Sequence, residues 1–382
     1  MIHSLAGYVG HMTTLRSPVL ERVDDATERA RLDGKPPRAK ERDPWFDTIK
    51  MALVALVVVG HSWKGLLPAN AGVTWAYDFL YAWHVPAFVL VTGYLSRGFR
   101  WTPEKLWSLV RTVAVPYVIF EAALAWFRYH VGGVALNDLF KDPHWPMWYL
   151  AALFFWRLVT PAVLALPRRL VVPLAVATSL AAGLFAGQVM DSARIFGLLP
   201  FFVLGLVLHD VDWNRLRSST LVPYAVLGFL GIALVTRYTE VWGKTDWLYY
   251  NSTYDQLGVS TGQALATRAF VLALGLVGAF SFFVLVPKTA SWFARLGSAT
   301  LIVYLWHGFV VLTAEYVGFP GWAATHAAVA FGLATVGALT LALTLASPPV
   351  ARVLNVAVDP IGWLDRRRQQ VVEAVSADPR SG

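Results

Sequence analysis

The chain has 382 residues, of which 57 % are hydrophobic and only 15 % charged, with 17 Trp and no Cys. Those proportions exclude a disulfide framework and thiolate metal sites, and they place most of the chain in a lipid bilayer with tryptophan at its two interfaces. The net charge is +8, but the basic residues are scattered over short loops, which argues against a nucleic-acid surface.

Taken from the N-terminus, residues 1–42 are polar and mixed in charge, with Pro36-Pro37. They carry no apolar signal-peptide core, and they read as a cytoplasmic, largely disordered tail. Asp43-Pro44 then forms a helix start, with proline at the first helical position and Asp47 in the first turn. Ten apolar segments follow, at about 46–66, 75–96, 110–131, 147–166, 170–188, 195–209, 221–237, 265–286, 298–316 and 323–346. Each is about long enough to cross the hydrocarbon core, the sixth being short. A basic turn of Pro167, Arg168 and Arg169 joins the fourth to the fifth, and 237–264 is the longest external connection. The expected organisation is therefore a tail at 1–42, a membrane domain at 43–350 and a second tail at 351–382. That last tail holds a short amphipathic stretch after Pro360.

Charge gives the orientation. Every even-numbered span ends in a basic loop: Arg97, Arg100, Lys105 and Arg111; Arg168 and Arg169; Arg215 and Arg217; Lys288 and Arg295; and the tail from Arg352. The opposite side has Lys64, Lys141, Arg194, Arg237, Lys244 and Arg268 near its interface. The positive-inside rule then places both termini in the cytoplasm. The fold expected is an all-α membrane protein with ten transmembrane helices in a polytopic bundle.

Within that bundle the first span holds a lysine and a histidine, Lys50 and His61. Eleven residues are about three helical turns, so the two share nearly one face, roughly 16 Å apart along the axis. Ionisable residues in a membrane span are costly and usually face a bundle interior or a water-filled cavity. The plainer alternative is that Lys50 snorkels to the surface and His61 bonds at the opposite interface. Further polar residues lie inside spans: His84 two residues before Pro86, Glu121, Arg157 and His307. His84 either satisfies a carbonyl freed by the proline or serves the chemistry. Glu121 is either a buried functional carboxylate or a partner for Arg157 or His84.

Several segments together resemble a known family. DTIKMALVALVVVGH holds a basic residue, ten residues and a histidine. WHVPAFVLVTGYL holds His84, Pro86, Gly93 and Tyr94, and SRGFR supplies an Arg-x-x-Arg pair, Arg97 and Arg100. PMWYLAALFFWRL at 146–158, RIFGLLPFFVLGLVL at 194–208 and IVYLWHG at 302–308 complete the series. In this order, on ten spans, they resemble the acyltransferase-3 family of integral membrane acyltransferases, especially its fucose 4-O-acetylase-like branch. The resemblance covers about 43–346. The chain departs from some relatives in lacking a fused extracytoplasmic hydrolase-like domain.

The resemblance implies transfer of an acyl group, acetyl before others, from acyl-CoA to a hydroxyl of a glycan or glycosylated metabolite. Such a transfer needs a base for the hydroxyl proton, and histidine titrates near neutrality. His61 is the first candidate, as direct base or as an acyl-histidine. Lys50, His84, Glu121 and His307 are the other catalytic candidates. Arg97 and Arg100 are the expected contacts for the phosphates of acetyl-CoA, since guanidinium pairs with phosphate through a planar fork. Trp148 and Tyr149 are expected to stack on the adenine or a sugar, with packing as the alternative. No metal is expected. The rival class is a proton-coupled transporter or exporter with the same residues as a relay. Spans six to ten, however, repeat none of the Lys50, His61 and His84 motifs.

Overall fold

A computed structural model describes residues 43–135, 142–187, 189–288 and 291–376. The tail expected at 1–42 lies outside the described residues, and everything below concerns the body that begins at Pro44. The described residues contain helices and no strand. Eight helical stretches are long and apolar enough to cross a membrane, ten if each of two bent pairs is one span.

The first span is α1 (Pro44–Trp63), continued by a 3-10 turn, Lys64–Ala69. The second is broken at Ala82–Trp83 into α2 (Ala71–Tyr81) and α3 (His84–Ser96). The third runs through α4 (Pro103–Leu109), a π-helical turn at Val110–Ala114 and α5 (Val115–His130). Then come α6 (Trp148–Ala165) and α7 (Arg168–Phe185). The short sixth span is one of the bent pairs: a helix at Ser192–Gly197, α8, meets α9 (Leu199–Val207) with Pro200 in the first turn of α9. A surface helix α10 (Asp210–Leu216) leads to α11 (Val222–Thr236) and α12 (Thr261–Leu285). The other bent pair is α13 (Thr300–Tyr316) with α14 (Phe319–Thr325), turned by 62° at Gly318. The last span is α15 (Ala327–Ala346).

The core lies where α1, α3, α9 and α12 meet. Lipid tails are as apolar as leucine, so helices in a membrane associate by close packing rather than by hydrophobic burial. Gly93 of α3 and Gly205 of α9 provide that closeness reciprocally. A Cβ on Gly93 would sit 2.0 Å from the Phe202 carbonyl oxygen, and one on Gly205 would sit 2.0 Å from that of Leu90. The two backbones therefore touch, and any side chain at either glycine would force them apart. Around them pack the buried Trp156, Phe202 and Phe283.

Two further segments are tied to the bundle by arginines. The stretch expected as a tail after 350 begins as helix α16 (Pro348–Val358), followed by α17 (Pro360–Ser376). Arg111 forks onto Asp359 between them at 2.9 and 2.8 Å, tying this region to the third span. Arg268, expected near an interface, is 2 % exposed. Its guanidinium lies 4.9 Å from the Tyr250 ring, with Trp247 and Tyr254 also around it, so it clasps the long connection before α12 to that helix.

Candidate active site

His61 stands at the last turn of α1, half-buried, and His307 lies in the middle of α13, wholly buried. Their rings are stacked, with Nδ1 of His61 2.8 Å from Nε2 of His307. The other ring nitrogen of His307 is 3.1 Å from the carbonyl oxygen of Val303, one turn back in its own helix. A carbonyl only accepts, so His307 Nδ1 carries the proton and donates to it. His307 Nε2 is then a lone pair, and His61 Nδ1–H donates to that. His61 Nε2 remains as an unprotonated nitrogen, the form a general base needs. The tautomers follow from the bond partners, as hydrogens do in any such network.

His61 lines a cavity of about 630 Å³, together with Ser62, Lys64, Arg128, Trp145 and Glu315. Trp145 meets His61 edge-on at 4.3 Å, and the Lys64 ammonium lies 5.9 Å from the Trp145 ring. The segment bearing Trp145 is held from behind. The carboxylate of Glu121 accepts from the backbone N–H of His144 and from its ring Nδ1 at 2.5 Å. Tyr304 donates its hydroxyl hydrogen to the carbonyl of Pro146. Thus α5, α13 and the 144–149 segment together build the wall around the two histidines.

The residues singled out in the sequence fall into three groups. His61 and His307 come together. Tyr149 and Trp148 lie in the surrounding shell: Tyr149 is 5.7 Å from Tyr304 and bonds Thr92 through its hydroxyl, and Arg194 lies over the Trp148 ring at 5.1 Å. Glu121 supports that shell, with His144 as its partner in place of the expected Arg157 or His84. Arg157 instead approaches Ser96, its Nε 3.4 Å from the hydroxyl.

The third group lies outside the pair's hydrogen bonds, with His84 still close enough to act electrostatically on His61. His84 donates its Nδ1 hydrogen to Leu80 O at 2.7 Å, within its own broken span, and packs on Tyr81. Lys50 pairs with Asp47 at 2.7 Å, near the start of α1. Arg97 is bonded to Asp210 at 2.9 Å and to Leu208 O at 2.8 Å, and it stacks on Tyr94. Arg100 is exposed and bonds the Arg97 and Phe99 carbonyls. These two arginines lie at the end of the bundle opposite the cavity. The rings of Phe46 at the start of α1 and Tyr94 near the end of α3 are stacked there, whereas the cavity lies past the end of α1.

Sequence reasoning missed His144 and Trp145. The available signal was their position: an aromatic-proline segment feeding directly into the motif that starts at Pro146. No group of three or more His, Cys, Asp or Glu able to hold a metal is present among the described residues.

The chain is 24 % identical over 338 residues to nodulation protein NolL of Sinorhizobium fredii (strain NBRC 101917 / NGR234), covering 80 % of this chain and 89 % of that protein. It is 23 % identical over 309 residues to nodulation protein NolL of Mesorhizobium japonicum (strain LMG 29417 / CECT 9101 / MAFF 303099), covering 74 % and 80 %. No solved structure matches. The acyltransferase-3 profile, an acyltransferase domain, matches residues 43–347, and the chain belongs to that family of membrane acyltransferases.

Proposed function

We propose that this membrane acyltransferase moves an acetyl group from acetyl-CoA to a hydroxyl of a glycan or glycosylated metabolite, with His61 as the base. The observation that carries the reading is the His61–His307 pair at the cavity. Its bond order leaves His61 Nε2 as the free lone pair. In the reaction the acceptor oxygen attacks the thioester carbonyl and His61 Nε2 takes its proton. The C–O bond forms, the C–S bond breaks, and the proton passes to the departing CoA thiolate. As His61 becomes cationic, the His307 lone pair holds its Nδ1–H, so His307 acts as an orienting group that also stabilises the charge.

The donor and acceptor ends are proposed from charge. Arg97 and Arg100 lie on the basic face that the positive-inside rule assigns to the cytoplasm, where acetyl-CoA is found. The cavity opens at the other end, which makes it the acceptor's entrance in this reading, and the same charge asymmetry supports both termini being inside. In this reading Lys50, paired with Asp47, marks the donor side of α1. His84 braces the break in the second span, and Trp148 and Tyr149 pack against Arg194 and Tyr304 in the shell around the histidine pair. On the His307 side the pair ends on a backbone carbonyl, so that side supplies orientation for His61 and carries no further proton acceptor.

The test is release of CoA thiol and acceptor-bound label from radiolabelled acetyl-CoA with the purified protein. Wild type should give both, and His61→Ala should bind acetyl-CoA but lose about 10²-fold or more in turnover. A His61→Ala protein that transfers at the wild-type rate would remove the histidine from catalysis.

A further inference from the structure

The cavity is not confined to the end of the bundle. Beyond His61 it follows α13 and α15, bounded by Val310 and Ala314 on one side and by Leu333, Gly337 and Leu341 on the other. Leu333 to Leu341 covers two turns, roughly 12 Å of helix axis, so the groove descends from the interface well into the bilayer. Its walls face outward: Val310 is 48 % exposed and Leu333 55 %, and a Cβ on Gly337 would meet nothing within 4 Å. A span whose face is open at glycine leaves a channel there that the bundle itself does not fill. At the mouth stand two cations, Lys64 and Arg128, and one carboxylate, Glu315.

We propose that this groove admits the apolar chain of an amphiphilic acceptor, entering sideways from the bilayer. Its anionic headgroup lies at Lys64 and Arg128, and its hydroxyl-bearing part lies over His61. The inference rests on the acyl-transfer reading above and names the acceptor's class. Apolarity alone would not select such a chain, since lipid tails are as apolar as the groove. Selection comes from the groove's shape and from the surplus positive charge at its mouth, which pairs with phosphate at headgroup depth. A fully water-soluble acceptor would need the polar mouth but not the outward-facing walls two turns deeper.

The experiment uses the full chain in phosphatidylcholine nanodiscs, with dodecyl phosphate carrying a photoactivatable diazirine near the chain end. Labelled peptides are mapped by mass spectrometry. Labelling should concentrate on 310–314 and 333–341. Gly337→Phe puts a ring into the channel from a Cβ position with nothing within 4 Å, so it should weaken labelling about tenfold while the thermal unfolding temperature stays put. Lys64→Gln with Arg128→Gln should weaken capture of the phosphate probe but not of the matching dodecanol probe.

Label spread evenly over all lipid-facing helices, or unchanged by Gly337→Phe, would overturn the proposal. So would displacement of the probe by dodecanoyl-CoA but not by an unlabelled dodecyl glycoside phosphate, which would give the groove to a donor chain. Thiol release from acetyl-CoA by the wild type is measured separately. Its absence would sink the acyl-transfer reading while leaving the labelling result to judge the groove.

Discussion

Glu121 and His144 are bound to each other twice, through the histidine's backbone N–H and through its ring, with the carboxylate wholly buried. The clasp fixes the segment whose next residue, Trp145, lies edge-on against His61. His144→Ala leaves the buried carboxyl with the backbone N–H as its donor and should cost about 1–3 kcal/mol, the range for removing one partner of a buried hydrogen bond. Thermal unfolding in detergent checks this, and an unchanged midpoint would show that the clasp adds no stability. His144→Gln, which can still donate to Glu121, should recover part of the loss.

The His307 role separates by substitution. His307→Ala removes the acceptor for His61 Nδ1–H and should lower turnover by about 10²-fold with little change in donor affinity. His307→Gln supplies an amide oxygen in a similar place and should keep more activity than alanine. Equal loss in both variants, measured as kcat against KM, would indicate that His307 does more than accept this bond.

The two arginines of the Arg-x-x-Arg pair should not behave alike. Arg100 is exposed, and Arg100→Gln is expected to raise the apparent KM for acetyl-CoA about tenfold, from one charge-assisted phosphate contact discounted for solvent. Arg97 already holds Asp210 and the Leu208 carbonyl, so Arg97→Gln should also lower stability. Asp210→Asn isolates that second effect: its stability should fall with KM unchanged. A donor KM indifferent to both arginines would move the CoA site elsewhere.

The Asp359 carboxyl is held below the ordinary carboxylate range, chiefly by its hydrogen bond from Arg111. A depressed value means that the folded state favours the ionised form. The contribution is therefore present at neutral pH and is lost as pH falls through the folded-state value. Wild-type thermal stability should be flat around neutrality and drop in acid. Asp359→Asn should begin lower at neutral pH and show a smaller acid drop. Parallel curves would mean that the contact adds nothing.

Orientation is open to direct labelling, because the chain has no cysteine. Single cysteines at Gly98 and Ser218, both on the basic face, should react with an impermeant maleimide only after the membrane is permeabilised. Reaction at either in intact cells would reverse the topology and exchange the proposed donor and acceptor sides.

The amino-acid sequence by itself determined the helical segments, because hydropathy over twenty residues reports what a bilayer demands of a span. It also marked His61 and His307 as expensive residues inside spans. It did not determine what each would face. Helical periodicity relates residues within one helix: it rightly put Lys50 and His61 in the same span, yet Lys50 turns to Asp47 while His61 turns to a residue 246 positions away. Glu121 likewise found His144, in a connection, rather than Arg157 or His84 in neighbouring spans. The tertiary structure decided these partners, since they depend on which helix faces meet. In this bundle that is set by close backbone approaches such as Gly93 against Phe202, and no periodicity along a single helix encodes a contact between two of them.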